Sequence, residues 1–467
     1  MKTFAIGCAL TPETYPYRAV TETRVDKQQT EPLAFGGPIG GIAFMTLLPL
    51  LSIYLWICIH HYGGALVLPT LEVIAKAPAP TVRAFGYFAA WLTFQIVLQL
   101  VLPGKTVNGL KARDGVTLRY KLNGFLSLWV SLGTLVLLVK AGATSYAVIL
   151  SELGALLVIA IFASYALAAF LYLIGFKSDR VEHRSGSALY DYFMGSSLNP
   201  RIHSFSTSAK AVTPEGALLS ASTEVKPGAR TGGFDLKLFF ESKIGMTSWL
   251  AVTVAMAGAQ LERGGSLSLS MILVLLFQLF YVADFYFFEH AMLSTWDINN
   301  ENFGFMLGFG FVVWMPFNFS LQAQYLVYHR PELPLWAAGL IAILNFGGYY
   351  VFRTSNLQKH RFRTEPSSEI WGKPASFIQT KRGTKLLTSG WWGLARHANY
   401  FGDLTMALAW CLPCGLSHVT PYFYFIYFAP LLIDRERRDN RACETKYGED
   451  WAAYCKRVPH RIVPFVY

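Results

Sequence analysis

The residues best suited to chemistry lie in one stretch, residues 386–404, with the sequence LLTSGWWGLARHANYFGDL. It sets Arg396, His397, Asn399 and Asp403 among apolar and aromatic side chains, beside runs of membrane-spanning length. Ionisable groups in a lipid-facing segment cost several kcal/mol each unless they are paired or line a wet cavity. The stretch therefore predicts a functional site. The alternative is an interfacial turn whose tryptophans lie at headgroup level.

A second candidate is the run SNLQKHRFR at residues 355–363, which contains Lys359 and Arg363. These cations have i,i+4 spacing, so a helix would place them on one face. Two cations on one face near the membrane could bind a phosphate-bearing ligand. The alternative is a pair of snorkelling side chains that contact anionic lipid.

The C-terminal tail contains a third pattern, in which Arg435, Asp439, Cys443 and Tyr447 recur at i,i+4 spacing. On a helix they form one stripe. An Arg suits phosphate, an Asp suits a ribose or an amide, and a Tyr suits stacking, so the stripe is typical of nucleotide recognition. A solvated amphipathic helix is the alternative. The sequence contains no GxGxxG, which argues against a Rossmann domain.

A fourth pattern lies at the end of an apolar span, in FYVADFYFFEH. There Tyr281, Asp284 and Glu289 fall within about 140° of one another on a helical wheel. Intramembrane acids indicate a functional site, and a tyrosine hydroxyl backed by carboxylates is a candidate proton donor. We take these three as candidate catalytic residues. The alternative is a set of interfacial residues at a helix end.

The composition predicts the setting of these patterns. Of 467 residues, 53% are hydrophobic and only 15% charged, whereas soluble domains have about 25% charged residues. We therefore expect an all-α, polytopic membrane protein in a lipid bilayer, with about ten transmembrane helices. The net charge of +11 is concentrated in a few loops, which places those loops and both termini in the cytosol. A nucleic-acid partner is not expected, because the basic residues form no continuous stripe. The oligomeric state stays open.

The cysteines predict neither a metal site nor a disulfide framework. Cys411 and Cys414 have CxxC spacing, but they lie in the apolar run AWCLPCG, and no second CxxC or His pair completes a zinc site. We interpret both as small apolar residues. The first 40 residues lack a basic region followed by an apolar core, so no cleavable signal peptide is expected.

Apolar runs of about 20 residues mark the expected transmembrane helices. They cover residues 41–60, 84–102, 126–139, 146–176, 248–260, 268–288, 304–328, 335–351, 401–414 and 419–433. The last two are short and suggest a re-entrant pair or helices bent around a cavity. Residues 1–40 are predicted to form a polar cytosolic arm, ahead of two transmembrane halves at 41–303 and 304–467. The Ser-rich residues 204–232 are predicted to be a disordered insert, and Asp114-Gly115 predicts a hairpin turn.

Several motifs, in order from about residue 40 onward, resemble those of the sterol reductases of ergosterol and cholesterol biosynthesis. They include GKTVNGLKARDGVTLRYKLNGF, FDLKLFFE, YVADFYFFEHAMLSTWDI, SNLQKHRFR and the two C-terminal patterns above. ALAWCLPCG and RVPHRIVPFVY are most similar to the Δ14 branch and to the sterol-reductase domain of the lamin B receptor. The resemblance implies a multi-pass, NADPH-dependent enzyme of the endoplasmic reticulum. It would reduce the carbon 14–15 double bond of a sterol after 14-demethylation, by proton addition and then hydride transfer.

The resemblance also implies roles for single residues, and it places the NADPH and sterol site in the C-terminal half. The cofactor contacts carry over to Lys359, Arg363, Leu387, Trp392, Asn399, Tyr400, Asp439, Cys443, Glu444, Thr445, Lys446, Tyr447 and Tyr454, with Arg435 as a phosphate partner. The proton donor carries over to Tyr281, supported by Glu289 or Asp284. Ala398 stands where many relatives have Pro (HPNY), which should change local rigidity and leave the chemistry unaltered.

Three alternatives remain. The same machinery could act on a Δ7 or a Δ24(28) double bond. An isoprenylcysteine-type methyltransferase, which binds S-adenosylmethionine, has a similar C-terminal architecture, but the SNLQKHRFR loop and the number of spans argue against it. A nuclear-envelope tether like the lamin B receptor would need a folded chromatin-reading domain, for which about 40 polar residues ahead of the first span leave no room.

Overall fold

The computed structural model of the protein describes residues 33–111, 117–177, 185–202, 234–365 and 367–467. Most of the predicted N-terminal arm, the predicted turn at Asp114-Gly115 and the predicted insert at 204–232 lie outside these residues. The described residues are largely helical, as predicted, and also contain four short two-stranded sheets.

Ten principal helices of the described chain follow the ten predicted spans. They are α1 Gly37–Tyr62, α2 Val82–Val101, α3 Gly124–Lys140, α4 Tyr146–Lys177, α5 Leu236–Gly264, α6 Leu269–Phe287, α7 Phe305–Tyr328, α8 Leu335–Thr364, α9 Ala398–Cys411 and α10 Phe423–Tyr447. The tail adds α11, Glu449–Arg457, and short helices cover Leu71–Ile74, Ala188–Met194, Trp296–Asn300 and Trp391–Leu394.

The strands form antiparallel pairs between the helices. They are β1 Lys105–Lys111 with β2 Thr117–Leu122, β3 Arg201–Ile202 with β4 Phe234–Asp235, β5 Glu369–Ile370 with β6 Lys373–Pro374, and β7 Phe377–Gln379 with β8 Lys385–Leu387. The first pair consists of the two strands predicted on either side of Asp114-Gly115.

The multi-pass architecture is confirmed. Among the described residues, seven helices are long and apolar enough to cross a membrane, with mean hydropathy from 1.3 to 2.5. The apolar helix α3 is shorter, at 17 residues, and α9 and α10 overlap the last two predicted spans. The number of these helices in the described chain agrees with the prediction of about ten spans.

Two helices continue past their predicted ends. The apolar runs end at residues 351 and 433, whereas α8 continues to Thr364 and α10 to Tyr447. Both extensions are rich in Lys, Arg, Gln and Glu, which form helices about as well as Leu does. Hydropathy therefore marks where each helix leaves the membrane, and it does not mark where the helix ends. The extensions project charged side chains beyond the bilayer.

Helices α8 and α9 meet backbone to backbone. A Cβ atom added at Gly402 would lie 2.6 Å from the Gly348 carbonyl oxygen, and one at Gly348 would lie 2.8 Å from the Gly402 carbonyl oxygen. Only glycine allows this approach. Further along the pair, Trp410 Nε1 donates to Asn345 Oδ1 at 3.0 Å. The contact fixes the start of α9 beside the charged end of α8.

Helix α7 is irregular in the middle of the bundle. Its residues Gly310–Asn318 have π-helical hydrogen bonding and contain Pro316, and a new helical turn begins after Phe319. The Phe319 carbonyl accepts hydrogen bonds from Trp249 Nε1 at 3.1 Å and Gln278 Nε2 at 3.3 Å. Irregular backbone at membrane depth requires such partners. The bond also holds Trp249 in place beside α6.

The hydrophobic cores contain residues from both predicted halves. The largest packs Leu157 of α4 with Phe309 of α7, and the second packs Trp249 of α5 with Trp410 of α9. The segments on the two sides of the predicted division at 303/304 therefore share their cores.

Candidate active site

Three segments meet at one end of the bundle: the charged end of α8, the turn that leads into α9, and the charged half of α10. Lys359 of α8 places its ammonium nitrogen 3.9 Å from the centre of the Trp392 ring. Trp392 is buried and donates from Nε1 to the Ser355 carbonyl at 2.8 Å. The charge of Lys359 also acts on Asp439 of α10. The predicted cation and ring are therefore in contact, and the cation is close enough to the predicted carboxylate to help lower its pKa.

Asp439 is held by a histidine to which no role was assigned from the sequence. Nε2 of His397 lies 3.4 Å from Oδ2 of Asp439, and the His397 ring stacks on Tyr400 with centroids 4.7 Å apart. Burial opposes ionisation, but His397, Lys359 and Arg435 outweigh it and lower the pKa of the Asp439 carboxyl. Asp439 is thus a carboxylate at neutral pH. Its side chain is 47% exposed, so a ligand can reach it.

Asn399 offers an unpaired hydrogen-bond acceptor at this site. Its Nδ2 donates to Asn356 Oδ1 at 3.4 Å, while its Oδ1 is buried and has no hydrogen-bond partner within the described chain. A buried polar atom without a partner costs about 1–3 kcal/mol. A donor on a ligand would remove that cost. Ala398, beside it, is the first residue of α9, a position where proline fits a helix.

The hairpin β7–β8 and helix α11 flank the site. Leu387 is buried and packs with Trp392, and Tyr454 of α11 is buried against Cys443 and Tyr447 of α10. Burial, and secondarily the Asp439 charge, raise the pKa of the Cys443 thiol to about 11. Cys443 is therefore a neutral packing residue at physiological pH.

Four of the predicted cofactor contacts lie on the solvent side. The side chains of Arg363, Glu444, Thr445 and Lys446 are all exposed. Thr445 Oγ1 donates to the carbonyl of Arg441 at 3.0 Å, and Lys446 lies over the Tyr447 ring at 5.0 Å. These four residues border the site, whereas Lys359, Trp392, Asn399 and Asp439 form it.

Tyr281 lies inside the bundle, between two tryptophans. Its ring centroid is 5.1 Å from that of Trp410 and 6.0 Å from that of Trp249. Its hydroxyl makes no hydrogen bond to any residue that the structure describes. A half-buried phenol in an aromatic cage, with its hydroxyl unpaired, can donate to a bound molecule.

Asp284, predicted to support Tyr281, is held by other residues. Its carboxylate accepts a hydrogen bond from the Tyr349 hydroxyl at 2.8 Å and forms an ion pair with Arg353. The Arg353 guanidinium also lies over the Phe288 ring at 3.9 Å. The Asp284 carboxylate is therefore neutralised by its own partner, Arg353.

The helical-wheel placement of Glu289 is wrong, because α6 ends at Phe287 and the chain turns before Glu289. Glu289 is buried and accepts a hydrogen bond from the Gly124 N–H at 2.9 Å, at the start of α3. It lines a cavity of about 750 Å³ beside Lys105. Burial raises the pKa of its carboxyl against the opposing effects of Lys243 and the Gly124 N–H. The structure does not bring Glu289 to Tyr281.

Two supporting residues, Gln358 and Arg396, make contacts that the sequence did not predict. Gln358 Oε1 accepts the Trp391 N–H at 2.9 Å and so joins α8 to the Trp-Trp turn. Arg396 donates to Asn440 Oδ1 at 3.0 Å and to Cys455 Sγ at 2.7 Å. A signal for each was present, since Gln358 precedes Lys359 and Arg396 is an arginine in an apolar stretch. The partners lie too far away in the sequence for spacing to reveal them.

The fold and site define a class: a multi-pass helical membrane enzyme with a cationic and aromatic site at one end of the bundle and a tyrosine inside it. Comparison with known sequences gives the family. The chain belongs to the ergosterol biosynthesis ERG4/ERG24 family of sterol reductases, whose pattern matches residues 29–210 and 223–467. The match is interrupted inside the predicted insert at 204–232, which was not expected to be part of the family pattern.

Curated relatives match over nearly the whole chain. A protein named Delta(14)-sterol reductase from Methylotuvimicrobium alcaliphilum is 44% identical over 93% of this chain and 96% of its own length. Delta(14)-sterol reductase erg24 of Schizosaccharomyces pombe is 39% identical over 93% of this chain and 97% of its own. Delta(14)-sterol reductase LBR of Gallus gallus is 37% identical over 95% of this chain and 66% of its own.

Proposed function

We propose that this protein reduces the carbon 14–15 double bond of a sterol with NADPH, in the endoplasmic reticulum membrane. The relatives named as Δ14-sterol reductases support the bond. The observation that carries the proposal is the meeting of Lys359, Trp392, Asn399 and Asp439 at one end of the bundle, next to a transmembrane core that contains Tyr281.

The chemistry of this donor set fits a phosphorylated dinucleotide. Lys359 and Arg435 supply cations for phosphate, and Trp392 and Tyr400 supply ring faces. The buried Oδ1 of Asn399 lacks a partner in the described chain and would accept from a carboxamide or a sugar hydroxyl. The other members of the proposed set are Arg363, Leu387, Asp439, Cys443, Glu444, Thr445, Lys446, Tyr447 and Tyr454, of which the exposed ones would contact the outer part of the ligand.

Tyr281 is the proposed acid. Protonation of the alkene by its hydroxyl places the positive charge on the tertiary carbon, which is the more stable carbocation. The cage of Trp249 and Trp410 keeps water away from that cation, which water would otherwise trap. The chemistry that NADPH supplies when bound is a hydride for the electron-deficient carbon.

In this proposal Asp284 and Glu289 both help to position the helix that carries Tyr281. Glu289 does so from farther away. Through its ion pair with Arg353, Asp284 fixes the end of α6 against α8, and so connects the Tyr281 helix to the Lys359 helix. Glu289 joins the end of α6 to the start of α3. Neither carboxylate needs to touch the sterol in order to hold Tyr281 in position.

Product analysis tests the proposed function. The purified protein, reconstituted in lipid nanodiscs, is given NADPH and one sterol at a time with a Δ14, a Δ7 or a Δ24(28) double bond, and the products are identified by mass spectrometry and NMR. Reduction of the Δ14 sterol alone supports the proposal. Reduction of a Δ7 or a Δ24(28) sterol in its place would assign the other bond, and no reduction of any would overturn the proposal. Methyl transfer from S-adenosylmethionine to a prenylated cysteine substrate would also contradict it.

A further inference from the structure

An acidic side chain that the proposed reaction leaves unused lies on α9. Asp403 is half-buried and makes no hydrogen bond or ion pair with any residue that the structure describes. It lies in a predicted membrane span, where an unpaired carboxyl group is costly and indicates function. Asp284, the other acid near Tyr281, is by contrast neutralised by Arg353.

The helix geometry directs Asp403 toward Tyr281. Asp403, Ala407 and Trp410 have i, i+4, i+7 spacing and therefore share one face of α9. Ala407 and Trp410 on that face are buried in the core against which Tyr281 packs, and the Trp410 ring lies 5.1 Å from the Tyr281 ring. An unpaired carboxyl group and an unpaired phenol thus lie on facing surfaces of α9 and α6.

Ionisable groups continue from Asp403 toward the end of α9 that meets the proposed NADPH site. Tyr400 lies one turn before Asp403 on α9. Tyr400 stacks on His397, and His397 contacts the exposed carboxylate of Asp439. The series therefore begins at a solvent-accessible group and ends at the phenol inside the bundle.

The proposed reaction requires a proton source for Tyr281, and this series of ionisable groups can provide one. Once Tyr281 has given its proton to the alkene it is a phenolate inside an aromatic cage, and it must be protonated again before the next turnover. Neither tryptophan of the cage can supply a proton, because an indole N–H is a donor only in hydrogen bonds. A carboxylic acid can, because a phenolate is the stronger base by several pKa units.

We propose, on the basis of the proposed function, that Asp403 is the positioning residue that returns a proton to Tyr281 after each turnover. The O–H bond of Tyr281 breaks as a C–H bond forms on the sterol. The O–H bond of the Asp403 carboxyl then breaks as the phenol O–H re-forms, which leaves a carboxylate. A proton from cytosolic water, passed along the His397 side of α9, restores the carboxyl. The relay moves one proton and no electrons.

The test compares the first turnover with steady-state turnover in Asp403→Asn. Enzyme loaded with NADPH begins with Tyr281 protonated, so the variant should reduce its first equivalent of Δ14 sterol within about twofold of the wild-type rate. Its steady-state rate should fall about 100-fold, as expected for the loss of a proton-transfer group. Tyrosinate should accumulate in the steady state and be visible by its ultraviolet absorbance, and added acetate buffer should restore turnover. Asp403→Glu should retain most of the steady-state rate.

The matched control is Asp434→Asn. Asp434 lies on α10, is 61% exposed and pairs with Arg438, so both of its rates should equal those of the wild type. If Asp403→Asn fails to bind NADPH, the smaller non-acidic variant Asp403→Ser is judged by the same two rates.

The failures can be told apart. An equal loss of the first-turnover and steady-state rates would overturn the relay, and so would an unchanged steady-state rate. A wild-type protein that reduces no sterol would overturn the proposed function, and the relay with it.

Discussion

Lys359 and Trp392, separated by 33 positions in the sequence, are joined at the end of α8 by a contact of 3.9 Å between the ammonium nitrogen and the ring centre. The contact orients the cation against the ring, and the charge of Lys359 also helps to lower the pKa of Asp439 on α10. An ammonium held in this way is preorganised for a phosphate.

Replacement of Lys359 should therefore weaken cofactor binding. Lys359→Met removes the charge and keeps most of the chain length, and we expect a loss of about 2 kcal/mol, or about 30-fold in the Kd for NADPH. Isothermal titration calorimetry on detergent-solubilised protein measures it. The matched control is Lys381→Met, which removes an exposed lysine paired with Glu449 on the surface and should leave the Kd unchanged. Equal effects of the two variants would contradict the assignment.

The pairing of Asp439 with His397 predicts a contribution to stability at neutral pH that disappears at acid pH. The folded-state pKa of Asp439 is lowered, so its contribution to stability is complete above the ordinary carboxyl value of about 4 and is lost as the pH falls through the lowered value. Melting temperatures of the wild type and Asp439→Asn, measured from about pH 7 to about pH 3, should converge toward the acid end. Curves that stay parallel over the whole range would exclude this linkage.

The close contact of α8 and α9 predicts that Gly402 cannot be enlarged. Gly402→Ala puts a Cβ atom 2.5 Å from the Phe352 backbone nitrogen, so the helices must separate. We expect a loss of about 1–3 kcal/mol in stability and weaker NADPH binding, because Lys359 moves away from the start of α9. Gly347→Ala on α8 is the control, since a Cβ there meets nothing within 4 Å; it should be neutral or stabilising by up to about 1 kcal/mol. Thermal unfolding of both variants gives the comparison, and a neutral Gly402→Ala would refute the packing argument.

Substitutions at Glu289 and at Tyr281 should have different effects on turnover and on thermal stability. Tyr281→Phe removes the proposed acid and should lower turnover by about 10²- to 10⁴-fold with unchanged NADPH affinity. Glu289→Gln loses the carboxylate that binds the Gly124 N–H and lies beside Lys243, and should lower thermal stability while turnover changes by less than about tenfold. Steady-state rates and melting temperatures of both variants decide the matter. If Glu289→Gln were as inactive as Tyr281→Phe, Glu289 would have a catalytic role, as the sequence predicted.

The success and failure of sequence-based reasoning have physical causes in particular residues. Apolar length predicted the ten helices, and i,i+4 spacing placed Lys359, Arg435 and Asp439 on helical faces, because both signals are local. The helical-wheel prediction for Glu289 failed because the sequence FYVADFYFFEH contains no residue that marks the end of α6 at Phe287. The bond between His397 and Asp439 depends on how α9 and α10 pack, which local spacing does not encode.

The central claim is that cationic and aromatic side chains from α8, α9 and α10 bind NADPH beside the membrane core that holds Tyr281. Cryo-electron microscopy of the protein with NADP and a Δ14 sterol tests this claim directly. The account predicts the dinucleotide between Lys359, Trp392 and Asp439, with its nicotinamide end and the sterol double bond both directed to Tyr281. A dinucleotide bound elsewhere, or a sterol whose double bond lies away from the Tyr281 hydroxyl, would contradict it.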